Sequence, residues 1–445
     1  MVTAPPVRRA AAIAVFRAVA DSDTYRHGVK EIVWDDARLE KPPPRNIYRD
    51  EAEEIEDPQW EDDQDHEWFI HEMRWNKEDI PYRRMAELPP RVCWQYYQNI
   101  LQQQEDVIIL NKDAEALWYG LKRFPALKII TLTPAAHGWL WAPVYETPMI
   151  RAFPKGFNYP IPRGLDQWSQ RDPEVRATYR GFGIITRALT KYPQHQISEL
   201  VIDVNYLETG LNCRVFEESS AEYYNFGTIL QRPGFRRLDL ALYVGGEEHT
   251  GWRCYRSQLL YRALANAHDL EHFSLHTNVS PDAATDTASY SGGDPRAGWV
   301  PLRTIVPVVS WPSLRHFGLS GFHVDKDDLI GLLKLMPALH SPSLGHLYFV
   351  NNEACFRELL DDMRGKLDWR ARDPAARPTI SISVPTDYQQ IGHSVWVDKE
   401  VAEFMYGQGP NLWSRSGRGS IVTPHGVIRD AFSPGAEWST WPFDD

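Results

Sequence analysis

The chain has 445 residues, of which 43% are hydrophobic and 24% charged, and its formal net charge is −12. This composition is typical of a folded protein and excludes disordered, collagenous and disulfide-scaffold chains. No apolar run approaches the roughly 20 residues of a membrane span, so no membrane partner is predicted. The four cysteines are far apart in the sequence. That pattern indicates a reducing compartment, and we predict a cytoplasmic protein.

The first 50 residues are predicted to contain a helix, Ala10–Ala20, and a first strand, Val29–Trp34. The strand ends beside two carboxylates, Asp35 and Asp36, and Glu40 follows soon after. Ligands favour the carboxyl ends of parallel strands. Clustered carboxylates at such a place can raise one pKa and supply a general base, or they can hold a guanidinium or ammonium group. The alternative is that Asp36 caps a helix or a turn.

Residues 51–67 carry ten carboxylates and no lysine or arginine, whereas the rest of the chain is nearly neutral. Like charges at this density repel one another and favour a solvated loop. We therefore predict an irregular, exposed acidic loop. The alternative is an acidic lip that attracts a cationic substrate or partner.

An apolar triplet at positions i, i+3 and i+5 recurs along residues 68–384, which we predict to be the body of the protein. Its six copies begin 70, 38, 35, 44 and 30 residues apart, and helical stretches precede them. The alternation inside each copy is strand-like, so the unit is a helix, a turn and a short parallel strand. The copies begin at Leu127, Ile197, Phe235, Leu270, Leu314 and Leu344, and Val29 begins a seventh.

This repeat predicts an α/β fold, specifically an irregular leucine-rich-repeat-like solenoid with a curved, mostly parallel sheet and helices on its convex side. The alternative is a doubly wound α/β domain. The constant spacing of the apolar residues inside each triplet and the absence of a glycine-rich phosphate loop favour the solenoid. All seven strands should be neighbours in one sheet. They are predicted near residues 29–34, 127–132, 197–202, 235–240, 270–275, 314–319 and 344–349.

Four histidines, His272, His276, His316 and His346, lie in or beside the predicted strands. Most histidines in such positions are polar strand residues without a catalytic role. Several of these four should face the concave side of the sheet, where they can line a pocket.

Residues 142–173 interrupt the repeat with six prolines, which suit neither a helix nor the interior of a sheet. Basic and aromatic residues alternate there, a combination that can follow a nucleic-acid backbone and stack on bases. The alternative is that the aromatic residues pack on the solenoid. The basic residues are Arg151, Lys155, Arg163 and Arg171.

The tail, residues 385–445, departs from the repeat and is predicted to fold back as a hydrophobic cap. The sequence contains no GxSxG, HExxH, P-loop or Rossmann motif and no cysteine or histidine cluster with zinc spacing. We therefore predict neither a metal nor a cofactor.

Two segments resemble filamentous-fungal proteins. One is Gly28–Leu39, with the run Ile32-Val33-Trp34-Asp35-Asp36. The other is Leu127–Gly164, with Ile130-Thr131-Leu132-Thr133-Pro134-Ala135-Ala136-His137-Gly138 and Tyr159-Pro160-Ile161-Pro162-Arg163-Gly164. They are similar to segments of two groups, the arginine-containing cyclodipeptide synthases and the F-box proteins with leucine-rich repeats.

The first resemblance implies an enzyme of fungal secondary metabolism that makes a cyclic dipeptide (a diketopiperazine) from arginyl-tRNA and a second aminoacyl-tRNA. Such an enzyme would bind no DNA and would need no cofactor. The synthases are associated with an essential Asp-Asp pair followed by Glu, which implies catalytic roles for Asp35, Asp36 and Glu40. Glu40 stands one residue further from the pair than in that motif. The four basic residues of 142–173 would contact the tRNA.

The second resemblance implies a non-catalytic leucine-rich-repeat protein that binds a protein partner on its concave face, as an F-box substrate receptor does. An F-box is a helical segment of about 45 residues before the repeats. Only about 25 residues precede the first predicted strand, and we expect no F-box in them.

Overall fold

The computed structural model shows an α/β protein whose elements belong to two units. Thirteen α-helices and a 12-stranded, mostly parallel sheet lie in the described residues. The helical unit comprises Met1–Val29, Asp35–Ala126 and Pro134–Gly164, and the sheet unit comprises Lys30–Trp34, Leu127–Thr133 and Leu165–Asp445. No helix in the described part of the chain is long and apolar enough to span a membrane. The described residues are 9–43, 58–78, 86–162, 180–207, 209–245, 247, 251–279, 299–350, 355–386, 391–413 and 425–439.

The helical unit has an aromatic core around its longest helices. Phe69 is fully buried, with its ring 5.3 Å from that of Trp94 and 5.1 Å from that of Tyr97. Pro90 begins the helix that supplies the last two rings, and its fixed φ and missing N–H suit a first helical position. The helices are α1 (Arg9–Asp21), α2 (Pro58–Glu78), α3 (Pro90–Ile109), α4 (Lys112–Leu121) and α5 (Pro148–Arg151).

The prediction of an irregular acidic loop at residues 51–67 is wrong for residues 58–67, because helix α2 begins at Pro58. Phe69 and Met73, four residues apart, are both buried in the core, so one apolar face holds the helix in place. Its carboxylates concentrate near the helix start, where the helix dipole favours negative charge. Residues 51–57 lie outside the described residues.

The Pro-rich segment belongs to the helical unit in its described part, 142–162. Phe157 and Tyr159 are buried, their rings stack at 4.9 Å, and Tyr96 packs 4.7 Å from Phe157. The alternative of packed aromatic residues is therefore confirmed for this part, although they pack in the helical unit. The remainder of the predicted insertion, 163–173, is not among the described residues.

The sheet unit alternates strands and helices. Its first strands and helices are β1 (Glu31–Asp35), β2 (Ile129–Thr133), α6 (Arg180–Lys191), β3 (Glu199–Ile202), β4 (Leu211–Asn212), α7 (Ala221–Leu230), β5 (Arg237–Tyr243), α8 (Arg253–Arg256), α9 (Leu259–Ala265) and β6 (His272–Thr277). These are followed by α10 (Leu302–Ile305), β7 (His316–Ser320), β8 (His323–Val324), α11 (Lys326–Leu333), β9 (Ser341–Gly345), β10 (Tyr348–Phe349) and α12 (Phe356–Lys366). The last are β11 (Ser381–Pro385), β12 (His393–Trp396), α13 (Asp398–Tyr406), β13 (Val427–Asp430) and β14 (Glu437–Ser439).

The strands of the repeat are neighbours in one sheet, as predicted. The order is β1-β2-β3-β5-β6-β7-β9-β11-β12-β13-β14, with β4 beside β5, and the pairs from β2 through β11 are parallel. The last apolar residue of each triplet stands in register with that of the next strand, so these side chains form one buried row. The row is Leu132, Ile202, Leu240, Leu275, Leu319 and Leu344.

One prediction about the end of the repeat is wrong. The strand predicted at 344–349 is Ser341–Gly345, because Leu344 fills the last apolar position of the triplet and Pro342 the middle one. The tail, predicted to be a cap, contains the strands β12, β13 and β14, which extend the sheet from β11 in antiparallel pairs.

Candidate functional site

Asp35, the last residue of β1, belongs to the helical unit and faces a buried histidine of that same unit. Its Oδ1 accepts a hydrogen bond from the Ala37 amide at 3.0 Å, which forms a local turn. Its Oδ2 is 3.6 Å from Nε2 of His137. The His137 side chain is fully buried, whereas 18% of the Asp35 side chain is exposed, so the carboxylate is the accessible end of this contact.

His137 continues the contact to a tyrosine. Its Nδ1 lies 2.7 Å from the hydroxyl of Tyr159, which is also buried. The ring of Phe153 covers both, with centroids 6.4 Å from His137 and 5.1 Å from Tyr159. We name Asp35, His137 and Tyr159 the Asp35 relay. A carboxylate that faces an imidazole in this way can orient it and help it to move a proton.

The other two predicted catalytic residues occupy different environments. Asp36 is half-buried and Glu40 is exposed. The backbone between them is fixed to α3, since Gln104 bonds both the N–H and the carbonyl of Leu39 at 2.9 Å. The carbonyl of Glu40 accepts a hydrogen bond from the Tyr97 hydroxyl at 2.8 Å. The chain after Asp35 is thus held rigidly.

Two of the four predicted tRNA contacts fall in the described residues. Arg151 ends the short helix α5 and pairs with Glu146 at 3.1 Å, and both side chains are 67% exposed. Lys155 is exposed as well. Arg163 and Arg171 are outside the described residues.

A second candidate site is a cavity of about 330 Å³ on one face of the sheet unit. We name it the sheet-face pocket. The residues between the apolar positions of the repeat line it, among them three of the four histidines singled out from the sequence, His272, His276 and His316. For these three the expectation of a pocket on the sheet face is confirmed.

Asp239 organises one wall of the sheet-face pocket. Arg237 donates to it at 2.6 and 2.8 Å, and Nε2 of His272 lies 2.7 Å from its other oxygen. Burial alone would raise the pKa of Asp239, but the bonds from His272 and Arg237 outweigh it and hold the pKa below its usual value. These three side chains therefore form an internally neutralised cluster.

His316 stacks on His272 with ring centroids 3.9 Å apart. Its two nitrogens lie 3.1 Å from the hydroxyl of Ser274 and 3.0 Å from that of Ser341. Burial, reinforced by His272, lowers the pKa of His316 to about 4. Burial likewise lowers the pKa of His276 to about 4, with a contribution from His346. Both imidazoles are neutral near pH 7.

The segment after β3 reaches across this face. The Tyr206 ring stacks on His346 at 5.3 Å and meets His276 edge-on at 5.7 Å, and its hydroxyl lies near Ser383 of β11. Asn205 and Tyr206 both have left-handed backbone, with φ of 49° and 61°. That conformation costs roughly 1–2 kcal/mol for each non-glycine residue, and such strain clusters at functional segments.

A third place has the donor atoms of a metal site. Cys213, Glu247 and Cys254 are buried, and their donor atoms lie within 4.8 Å of one another. Two thiolates and a carboxylate would be three of the four ligands of a tetrahedral zinc site. Against this use, Arg214 already pairs with Glu247 at 3.2 Å, and burial raises the pKa of Cys213 well above its usual value. The cysteines in the described residues are free thiols, and three of the four are buried.

The sequence did not assign roles to several of these residues. His137 and Tyr159 stand in the quoted similar segments, but nothing local relates them to Asp35. Asp239 lies between two apolar positions of its strand and Asp203 directly follows its strand, so inspection of these two kinds of position would have found both. No protein-family model matches the chain, and no curated protein matches it either.

Proposed function

We propose that the protein is a tRNA-dependent synthase of an arginine-containing cyclic dipeptide. The observation that carries this proposal is the Asp35 relay. Its three residues come from the separate segments that resemble the fungal synthases, and they meet as a contiguous polar chain in the helical unit. Such a chain is the part an aminoacyl transfer needs for proton handling.

The reaction requires little activation from the protein, because an aminoacyl-tRNA ester is already activated. The α-amine of one aminoacyl group attacks the ester carbonyl of the other, a peptide bond forms, and the released tRNA hydroxyl takes up the proton. A second, intramolecular aminolysis closes the six-membered ring and releases the second tRNA. The protein must position the two esters and move protons.

Each candidate residue has a role in this proposal. Asp35, oriented by His137, accepts the proton of the attacking amine. Asp36 holds the arginine guanidinium by a charge-assisted hydrogen bond. Glu40, whose side chain is exposed, is the third carboxylate available to the bound substrate. Lys155 and Arg151, with Arg163 and Arg171 beyond them in the chain, contact the tRNA backbone.

The decisive experiment is mass spectrometry of the small molecules made when the chain is expressed in a heterologous host, followed by reaction with purified aminoacyl-tRNAs. We expect a cyclic dipeptide that contains arginine, formed only from charged tRNA and lost after ribonuclease treatment. Asp35→Asn should abolish turnover while the fold is retained, because Asn keeps the shape but not the basicity. Asp23→Asn is the matched control, since the Asp23 side chain is 86% exposed. Full activity of Asp35→Asn would remove the relay from the mechanism.

The second candidate is a non-catalytic leucine-rich-repeat-like solenoid that binds a protein on its concave face. Three observations favour the repeat architecture. Strands β2 through β11 stack in constant register, and the helices between them touch one another in chain order. A flat sheet would also separate β3 from β11 by about 24 Å, which a bent sheet shortens enough for Tyr206 to reach Ser383.

The two candidates differ in a simple test. A solenoid receptor would yield no dipeptide from charged tRNAs, would form a ribonuclease-resistant protein complex, and would lose that complex when Glu199 on the sheet face is changed to Lys. A synthase would make product and tolerate Glu199→Lys in its tRNA-dependent turnover.

A further inference from the structure

The sheet-face pocket contains one carboxylate that the protein leaves without a counter-charge. Asp203 lines the cavity, where part of its surface is accessible to solvent although neighbouring atoms surround its carboxylate. Its Oδ1 accepts a hydrogen bond from the Asn205 amide at 2.9 Å. Among the described residues, Asp203 has no ion pair within 4.0 Å, whereas Asp239 on the neighbouring strand is paired with Arg237 and His272.

The surroundings make the charge of Asp203 costly. Loss of hydration raises the pKa of Asp203, and the negative charge of Asp239 adds to this effect, while the Asn205 amide and Arg237 only partly oppose it. A bound cation would relieve both effects at once, because it would replace the lost hydration and neutralise the charge. The nearest arginine cannot do so fully, since Arg237 is committed to Asp239.

The other walls of the pocket are compatible with a cation, because Arg237, the arginine of the lining, is already paired with Asp239. His276 and His316 have pKa values of about 4, so they do not repel a positive charge near pH 7. Tyr206 presents an aromatic ring, which attracts organic cations. The hydroxyls of Ser274, Ser320, Ser343 and Ser383 add hydrogen-bond acceptors around the cavity.

The chemistry favours an organic cation over a metal ion. In the described part of the chain, the one group of three or more close metal-donor side chains is Cys213, Glu247 and Cys254, and Asp203 is not in it. The cavity of about 330 Å³ is near the lower end of the range for small-molecule sites. The strained backbone of Asn205 and Tyr206 holds the aromatic ring at this place, an arrangement that packing alone does not require.

We propose that the sheet-face pocket binds a small organic cation with a guanidinium or primary ammonium group, with Asp203 as its counter-ion and Tyr206 as its aromatic wall. The inference does not depend on the proposed synthase activity, because it concerns the sheet unit alone and is tested by binding. A cation of amino-acid size fits the cavity with its charged end at Asp203 and its body along the serine hydroxyls.

Calorimetric titration of the full chain with agmatine and arginine tests the proposal. Citrulline, which is nearly isosteric with arginine but neutral, and glutamate are the comparison probes. We expect both cations to bind and citrulline to bind at least about tenfold more weakly. Citrulline binding as tightly as arginine, or no cation binding at millimolar concentration, would overturn the proposal.

Two variants locate the site. Asp203→Asn should weaken agmatine binding by at least about tenfold, and it should leave thermal stability unchanged or higher because it removes an unneutralised charge. Asp327→Asn is the matched control, since the Asp327 side chain is 75% exposed and lies outside the pocket. Equal binding by the wild type and Asp203→Asn would refute the assignment. A wild-type chain that binds agmatine but makes no dipeptide would uphold this proposal and refute the synthase.

Discussion

Acid should destabilise the sheet unit through histidines that the fold keeps neutral. Burial lowers the pKa of His316, His276 and His346 to about 4. An unfolded histidine has a pKa near 6.5. Between these values the unfolded chain binds protons that the folded chain does not, so stability is full above about pH 6.5 and is lost as the pH falls toward about 4.

The magnitude follows from the size of the shift. In this window each such histidine changes the free energy of unfolding by close to 1.4 kcal/mol per pH unit, which amounts to roughly 2 kcal/mol between about pH 7 and about pH 5. This value is an upper limit, because these three side chains are only partly buried and solvent screens their charged form. Asp203 acts in the opposite direction, since its raised pKa favours the folded state as the carboxyl becomes protonated.

The assay compares pH profiles of urea unfolding, followed by tryptophan fluorescence, for the wild type and His316→Asn. The variant lacks one buried titrating group, so its stability should fall less steeply with acid, by up to about 1.4 kcal/mol per pH unit near pH 5. The contribution of Asp203 is common to both proteins and cancels. His268→Asn, at an exposed position, is the control. Parallel profiles for wild type and His316→Asn would refute the reasoning.

Two further predictions concern stability and reactivity. Gly156 has φ of 81°, and a Cβ there would lie 2.3 Å from the carbonyl oxygen of Ala86, so Gly156→Ala should lower stability by roughly 2 kcal/mol or more in thermal unfolding. Gly183→Ala in α6, where a Cβ meets nothing within 4 Å, should instead stabilise by up to about 1 kcal/mol, and a loss equal to that of Gly156→Ala would contradict the argument. Because burial raises the pKa of Cys213, this thiol should resist a disulfide reagent near pH 7 until urea unfolds the chain. Rapid labelling of Cys213 in the folded protein, measured by mass spectrometry, would show that it is accessible.

The sheet was predictable because each strand must bury apolar residues at the same positions. Residues such as Leu238 and Leu240 must be buried on one face, and that demand appears in the sequence as a fixed spacing. The prediction failed at β9, where Pro342 occupies an apolar position that a search for large aliphatic residues passes over. Leu344 and Leu347 have the same spacing as the first two residues of a triplet, so the predicted triplet began five residues too late.

The candidate sites were less predictable, since they depend on contacts between distant parts of the chain. The strand end at Asp35 and the turn after it follow from local sequence. His137 lies about 100 residues further along, and only the folded helical unit brings its imidazole to the carboxylate. The acidic helix was missed for a related reason, because the buried face with Phe69 outweighs the repulsion that favours a loop.

Tyr206 connects two strands of the sheet that are not neighbours, β3 and β11. Tyr206 lies in the short segment after β3, and its hydroxyl lies near Ser383 of β11. The length of this segment and of the tyrosine side chain therefore limits how many strands can lie between β3 and β11. Duplication or loss of a repeat between them would displace Ser383 from the hydroxyl by about 5 Å and leave two strained residues without their partners. Insertion or loss of a strand between β3 and β11 should therefore disturb the sheet-face pocket more than a longer connection between two strands does.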